Sequence, residues 1–313
     1  MATTIEEALE RDGWFRLSTQ IDSKRLPVFM GKRSGSEPMR SVLSEKALFA
    51  AAAGAAAIAG VLLLSSFFSD GGLRCTFLPT ISRTSDPTSE LAEALLYYAT
   101  TPVVPQQSRA EIRLAFDVLR RRSPCNFLVF GLGRDSQLWS ALNPGGTTLF
   151  LEEDPQWYST VLKSTPWLKA HHVKYRTQLS EAEELMRSYR AGEGECRPST
   201  GAKGLQHNDR CKLALVGLPV EVYDREWDVV MIDAPKGYYP KAPGRMGAIY
   251  TVAVMARGRR GAGDTDVFLH DVDRPVEKKF AMEFLCDKYR EGGAGRLWHF
   301  RIPPVNVTSV DFC

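Results

Sequence analysis

The sequence predicts an α/β fold, a doubly wound and mostly parallel sheet behind an N-terminal transmembrane helix. Three observations predict it. From residue 108 onward, short apolar runs alternate with stretches of helical period, the pattern of parallel βαβ units with right-handed crossovers. Gly131-Leu132-Gly133 follows the first apolar run directly, and Glu152-Glu153-Asp154 follows the second. Ahead of these, Ala47–Ser69 carries no charge over 23 residues, enough for a helix to cross a hydrocarbon layer of ~30 Å.

Charge divides the 313 residues in the same way. Residues 1–46 hold 8 basic and 7 acidic side chains, 47–69 none, and 70–313 the other 32 and 30. Such a balance excludes a non-specific polyanion binder, and the composition excludes collagen-like and disordered chains. Lys32, Arg33, Arg40 and Lys46 crowd the N-terminal flank of the uncharged run, whereas only Arg74 and Arg83 closely follow it. That bias predicts a cytosolic tail (1–46), a signal anchor (47–69), a lumenal stem (70–107) and a lumenal domain (108–313). All six Cys fall on the lumenal side, as does the sequon Asn306-Val307-Thr308, so Asn306 is the expected glycosylation site. No C-x-x-C pair points to zinc. Cys196 and Cys211 flank a polar loop and are the expected disulfide.

The elements follow in order. A short helix is expected around Glu90–Ala99 within the Pro-containing stem. Ser108-Arg109-Ala110-Glu111 has the form of a capping box, with Ile112, Ala115, Phe116 and Leu119 on one helical face and Pro124 as the stop. Strands are expected at Asn126–Phe130, Thr147–Leu151, His172–Tyr175, Asp228–Ile232, Asp266–Leu269 and Leu297–Ile302. Helices are expected at Ser136–Leu142, after the Asp154-Pro155 cap, after a Ser180/Glu183 capping box, at Met246–Met255 and at Pro275–Cys286. Residues 190–211 read as an inserted loop.

In such a sheet, ligands sit beyond the carboxyl ends of the strands. Gly131 and Gly133 would let the backbone approach a ligand closely. Glu152, 19 residues beyond Gly133 and followed by Glu153, stands where a carboxylate accepts hydrogen bonds from ribose hydroxyls. Ser136 in the third slot of G-x-G-x-x-G/A departs from the dinucleotide fingerprint and counts against a nicotinamide-dependent oxidoreductase. Asp233 follows the fourth strand, and His270, Asp271 and Asp273 follow the fifth. Adjacent strands would bring Asp233, His270 and Asp271 to one rim, as ligands of a divalent metal (Asp233 and Asp271) or as a general base. Asp273, just before Arg274-Pro275, reads better as a helix cap. The segment Lys236–Arg245, KGYYPKAPGR, is basic and aromatic. Lys236 and Arg245 suit an acidic sugar's carboxylate and Tyr238 its ring face. His171, His172 and His299 lie in or beside strands and read as structural.

Several stretches resemble a known family. CNFLVFGLGRDSQLW (125–139), LNPGGTTLFLEEDPQWY (142–158), HHVKYRTQL (171–179), the long segment 226–259, VFLHDVDRPVEKKFAMEFLCDKYR (267–290) and GRLWHFRIPP (295–304) are similar to the plant cell-wall glucuronic acid 4-O-methyltransferases. The resemblance implies a Rossmann-like S-adenosylmethionine-dependent methyltransferase in the Golgi membrane. It would transfer a methyl group to the 4-hydroxyl of glucuronate side chains on a wall polysaccharide. The final Asp311-Phe312-Cys313 and the segment 150–179 are closer to arabinogalactan than to glucuronoxylan members. The same resemblance admits a non-catalytic Golgi protein of xylan synthesis. The intact GLG, LEED, HDVD and PGRM stretches argue against that branch.

Overall fold

The computed structural model describes residues 87–102, 104–192, 196, 201–305 and 312–313. The expected tail, anchor, Cys75 and Asn306 lie outside them. Among the described residues no helix is long and apolar enough to cross a membrane.

Helix α1 (Pro87–Thr100) and α2 (Arg109–Arg122) lead into a seven-stranded sheet. Its strands are β1 (Asn126–Phe130), β2 (Thr147–Glu152), β3 (Ala170–His172), β4 (Val229–Ile232), β5 (Thr265–Leu269), β6 (Arg290–Ala294) and β7 (Leu297–Ile302). The spatial order is β3-β2-β1-β4-β5-β7-β6. β1 to β5 are parallel, and β7 pairs antiparallel with both β5 and β6. The connecting helices are α3 (Ser136–Ala141), α4 (Pro155–Ser164), α5 (Ala182–Arg190), α6 (Gly201–Gln206), α7 (Val220–Asp224), α8 (Met246–Arg257) and α9 (Pro275–Phe280).

Side chains alternate across each strand, so the sheet has two cores. Leu128 and Phe130 of β1 join the layer of α5 and α8. Phe127 and Val129 join the layer of α2 and α3, with Trp139 edge-on to Phe127 at 6.2 Å. Phe127, Phe130, Phe150 and Phe268 are at most 1% exposed. Each contributes about 1.5–3 kcal/mol by leaving water. α8 is buried along almost its whole length, which is why its sequence shows no polar stripe. The Ser108/Glu111 capping box forms as expected, and Asp154 caps α4 through the N–H groups of Gln156 and Trp157.

The structure corrects several expectations. The third strand lies at Ala170–His172 rather than His172–Tyr175. It pairs with the end of β2, and the ladder closes with the Val173 N–H on the Glu152 carbonyl, where β2 itself ends. The capping box before α5 is Gln178/Glu181, not Ser180/Glu183. The helix from Pro275 is α-helical only to Phe280, then widens to a π turn over Ala281–Leu285. The region 190–211 contains α6. β6 was not anticipated: Arg290–Ala294 carries two glycines and little apolar surface, and it pairs with β7 alone. The expected stem is more than a spacer, since α1 packs on α3. Tyr98 Oη donates to the Arg134 carbonyl at 2.8 Å, and Ser140 Oγ donates to Glu90 at 3.4 Å.

The Cys196–Cys211 disulfide is present, and a second joins Cys286 to Cys313. Cys125 is a buried free thiol. Burial pushes its pKa up to about 12, which makes it unreactive. His299 is structural, stacked on Phe268 at 4.5 Å and bonded to Asp266 at 2.7 Å. His171 pairs with Glu221 at the open edge of β3, and His172 lies beside it.

Candidate functional site

Strand order reverses between β1 and β4, so their following loops diverge and open a crevice. A cavity of about 410 Å³ fills it. Its walls come from the loops after β1, β2, β4 and β5 and from the segment before α2. The ladders continue one residue past the strands. Gly131 N–H donates to Leu151 O, Asp233 N–H to Phe130 O, and His270 N–H to Ile232 O. These bonds set Gly131, Asp233 and His270 side by side.

Gly131 has φ +117°, and a Cβ there would stand 3.2 Å from that of Ala234. Only glycine permits this turn at this closeness. Glu152 is buried, and its two carboxylate oxygens accept from Leu132 N–H and Asp154 N–H, both at 2.9 Å. Each oxygen keeps a further lone pair, as a ribose-binding carboxylate requires. Burial and the adjacent Glu153 raise the pKa of Glu152 to about 7. Glu153 accepts from Lys236 N–H at 3.0 Å, and Lys236 Nζ reaches Asp154 at 2.9 Å. The β4 loop is thereby strapped to the β2 loop across the crevice. Trp157 lines the same wall, with its indole N–H on the Leu132 carbonyl.

Asp233 is the carboxylate at the switch point. His270 Nδ1 lies 2.8 Å from its Oδ1, Gln107 Nε2 donates to Oδ2 at 3.0 Å, and Arg245 donates to Oδ1 at 3.2 Å. Burial alone would raise its pKa. The His270 hydrogen bond and the Arg245 charge reverse that and hold the carboxyl below its ordinary range. Burial likewise opposes protonation of His270, but Asp233 and Asp271 outweigh it and the imidazole pKa rises. His270 is 1% exposed, and its Nε2 faces the buried Glu111 at 3.5 Å, so it stands behind Asp233, away from the cavity.

Two expected site residues prove to be braces. Arg245 was expected to grip a sugar carboxylate. It is 4% exposed, and its guanidinium is taken up by the carbonyls of Pro235, Asp233 and His270 and by Asp233 and Asp271. Asp271, at φ 61°, receives Arg245, Arg274 and Arg296 within 2.9 Å. Three guanidinium groups make it a structural counter-ion. Asp233, His270 and Asp271 do place ligand atoms within 4.8 Å of one another. The Arg245 guanidinium already lies on both carboxylates, so as placed they form a guanidinium site and not a ready metal site. Tyr238, 67% exposed, stands at the rim edge-on to Tyr239.

Sequence reasoning missed three contributors. Gln107 lay in the presumed stem, and Glu111 was fully accounted for as a helix cap. Asp135 was overlooked within the turn. It lines the cavity, and burial together with the Asp233 charge raises its pKa to about 6.

A doubly wound domain with a glycine turn and buried carboxylates at its switch point has the architecture in which α/β proteins place their ligands. The comparisons narrow this. Residues 110–300 match the family model described as IRX15/IRX15L/GXM, and the chain belongs to that family. It is 50% identical to arabinogalactan O-methyltransferase 2 of Arabidopsis thaliana over 88% of this chain and 96% of the relative. It is 53% identical to arabinogalactan O-methyltransferase 1 of the same plant over 81% and 90%. It is 46% identical to glucuronoxylan 4-O-methyltransferase 2 over 77% and 78%.

Proposed function

We propose that this protein is an S-adenosylmethionine-dependent O-methyltransferase acting on glucuronic acid side chains of a plant wall polysaccharide, with arabinogalactan as the acceptor. One observation carries the reading. A single cavity joins the Gly131 turn and Glu152 to the switch-point carboxylate Asp233 and opens at Tyr238. The arabinogalactan relatives are the more similar by identity and coverage.

The donor, when bound, supplies a methyl group on a sulfonium, which needs no acid to help it leave. The chain's residues must then align the acceptor and take its proton. Gly131, Gly133 and Glu152 hold the nucleoside, with Glu153 fixing the neighbouring loop. Tyr238 offers a stacking face to the sugar, and Lys236 a cation at the rim. Asp233 receives the hydroxyl proton, oriented by Gln107, Arg245 and His270. No step is assigned to a metal ion. The two disulfides support an oxidising compartment and the uncharged run 47–69 a membrane anchor, and the family resemblance favours the Golgi with the domain in the lumen.

The test incubates the full-length protein with methyl-labelled donor and either demethylated arabinogalactan or demethylated glucuronoxylan. Label in arabinogalactan is the expected result. Label in xylan alone overturns the acceptor, and label in neither overturns the activity.

A further inference from the structure

The cavity is rich in carboxylates, with Asp135, Glu152, Glu153, Asp233 and Asp271 in its lining. A cationic sulfonium suits such a lining. A carboxylate does not, yet the amino-acid end of the donor and the uronate of the acceptor each bring one. Of the cations lining the cavity, Lys236 is paired with Asp154, Arg245 with Asp233 and Asp271, and Arg274 with Asp271. Arg134 lines it too, and among the described residues no carboxylate meets its guanidinium. That guanidinium lies over the Trp157 ring, 5.7 Å from the centroid. Both partners are anchored to the glycine turn. Trp157 donates to the Leu132 carbonyl, and the Arg134 carbonyl accepts from Tyr98. A guanidinium held over a ring face still has paired N–H groups to offer a bidentate carboxylate.

We propose that Arg134, seated on Trp157, is the carboxylate-binding residue of this cavity. This rests on the methyltransferase reading above. Two ligands carry the required group, the donor's amino-acid end and the acceptor's uronate, and the experiment separates them.

Arg134→Gln and Arg134→Lys are compared with wild type in four measurements. These are the Kd of S-adenosylhomocysteine, the Kd of methylthioadenosine, which lacks the amino-acid carboxylate, and the KM of a glucuronate-bearing oligosaccharide and of its carboxyl-reduced counterpart. The expected loss in Arg134→Gln is roughly ten- to hundredfold, confined to carboxylate-bearing ligands, with Lys recovering part of it. Weaker S-adenosylhomocysteine with unchanged methylthioadenosine assigns the donor carboxylate. A raised KM for the glucuronate acceptor alone assigns the uronate. No change in any constant, or equal weakening of ligands with and without the carboxylate, overturns the proposal. Absence of methyl transfer by wild type would strike the functional reading instead, and the two equilibrium constants would still decide on Arg134.

Discussion

Arg245 donates to Asp233 twice, at the main-chain carbonyl (2.5 Å) and at the carboxylate (3.2 Å). The same guanidinium reaches the His270 carbonyl at 2.7 Å and Asp271 at 2.8 Å. One side chain at the start of α8 therefore sets the ends of β4 and β5 against each other. Lysine has one ammonium and no fork, and cannot serve these acceptors together. Arg245→Lys is expected to lose stability and turnover together. A hydrogen bond to a charged group contributes about 1.5–3 kcal/mol, and the lysine forgoes at least one. Denaturant unfolding checks this, and a variant as stable as wild type would contradict the bracing role.

Asp233→Asn keeps the shape of the side chain and removes its capacity to take a proton. Turnover is expected to fall about 10²- to 10⁴-fold, the usual contribution of a positioned base. S-adenosylhomocysteine should still bind within a few fold of wild type, as titration calorimetry would show. Normal turnover would remove Asp233 from the chemistry.

Glu152 makes donor binding depend on pH. Its pKa is raised to about 7 by burial and by Glu153, and the ionised form is the better acceptor for ribose hydroxyls. Affinity for the donor product should therefore strengthen as pH rises toward about 7, by at most tenfold per unit, and level off above it. Glu152→Gln is expected to bind more weakly and to flatten this dependence. A wild-type affinity independent of pH between 5 and 8 would be the contrary result.

The Asp233–His270 pair has a signed effect on stability. Asp233 is lowered, so its contribution is complete above the ordinary Asp value of about 3.9 and is lost as pH falls through the folded value. His270 is raised, so its contribution is complete below about 6.5 and is lost as pH rises through the folded value. The stability difference between wild type and His270→Gln should thus be largest from about pH 4 to 6.5. Unfolding curves at pH 5 and pH 9 test the sign.

Cys196 and Cys211 close a loop of sequence separation 15. Replacing both with Ser should cost about 3 kcal/mol, the loop-entropy figure for that length. Neither residue lines the cavity, so kcat per folded molecule should be retained. A loss of kcat with unchanged melting temperature would argue otherwise.

Much of this fold is legible in the sequence because buried parallel strands read as apolar runs. β1, β2, β4 and β5 are such runs, and the residues that matter stand directly after them. β6 was illegible for the opposite reason: Glu291, Gly292 and Gly293 are exposed and owe their strand to a single neighbour. That Gly131, Glu152, Asp233 and Tyr238 would line one cavity was legible from their positions at or after the ends of strands. The roles of Arg245 and Asp271 were not, because a cation and an anion look alike in sequence whether they face a ligand or each other. Gln107 and Glu111 come from outside the βα loops; α2 packs on β6, and the Arg296 N–H of the β6–β7 turn donates to Glu111 at 2.7 Å.

The strap between Lys236 and Asp154 differs in kind from the bracing around Asp233. Its ammonium and carboxylate are 42% and 32% exposed, whereas Arg245 and Asp271 are each 5% exposed. Dissolved ions screen the first pair and barely reach the second. Rising ionic strength therefore weakens the tie at the edge of the crevice and leaves the bracing at its centre set.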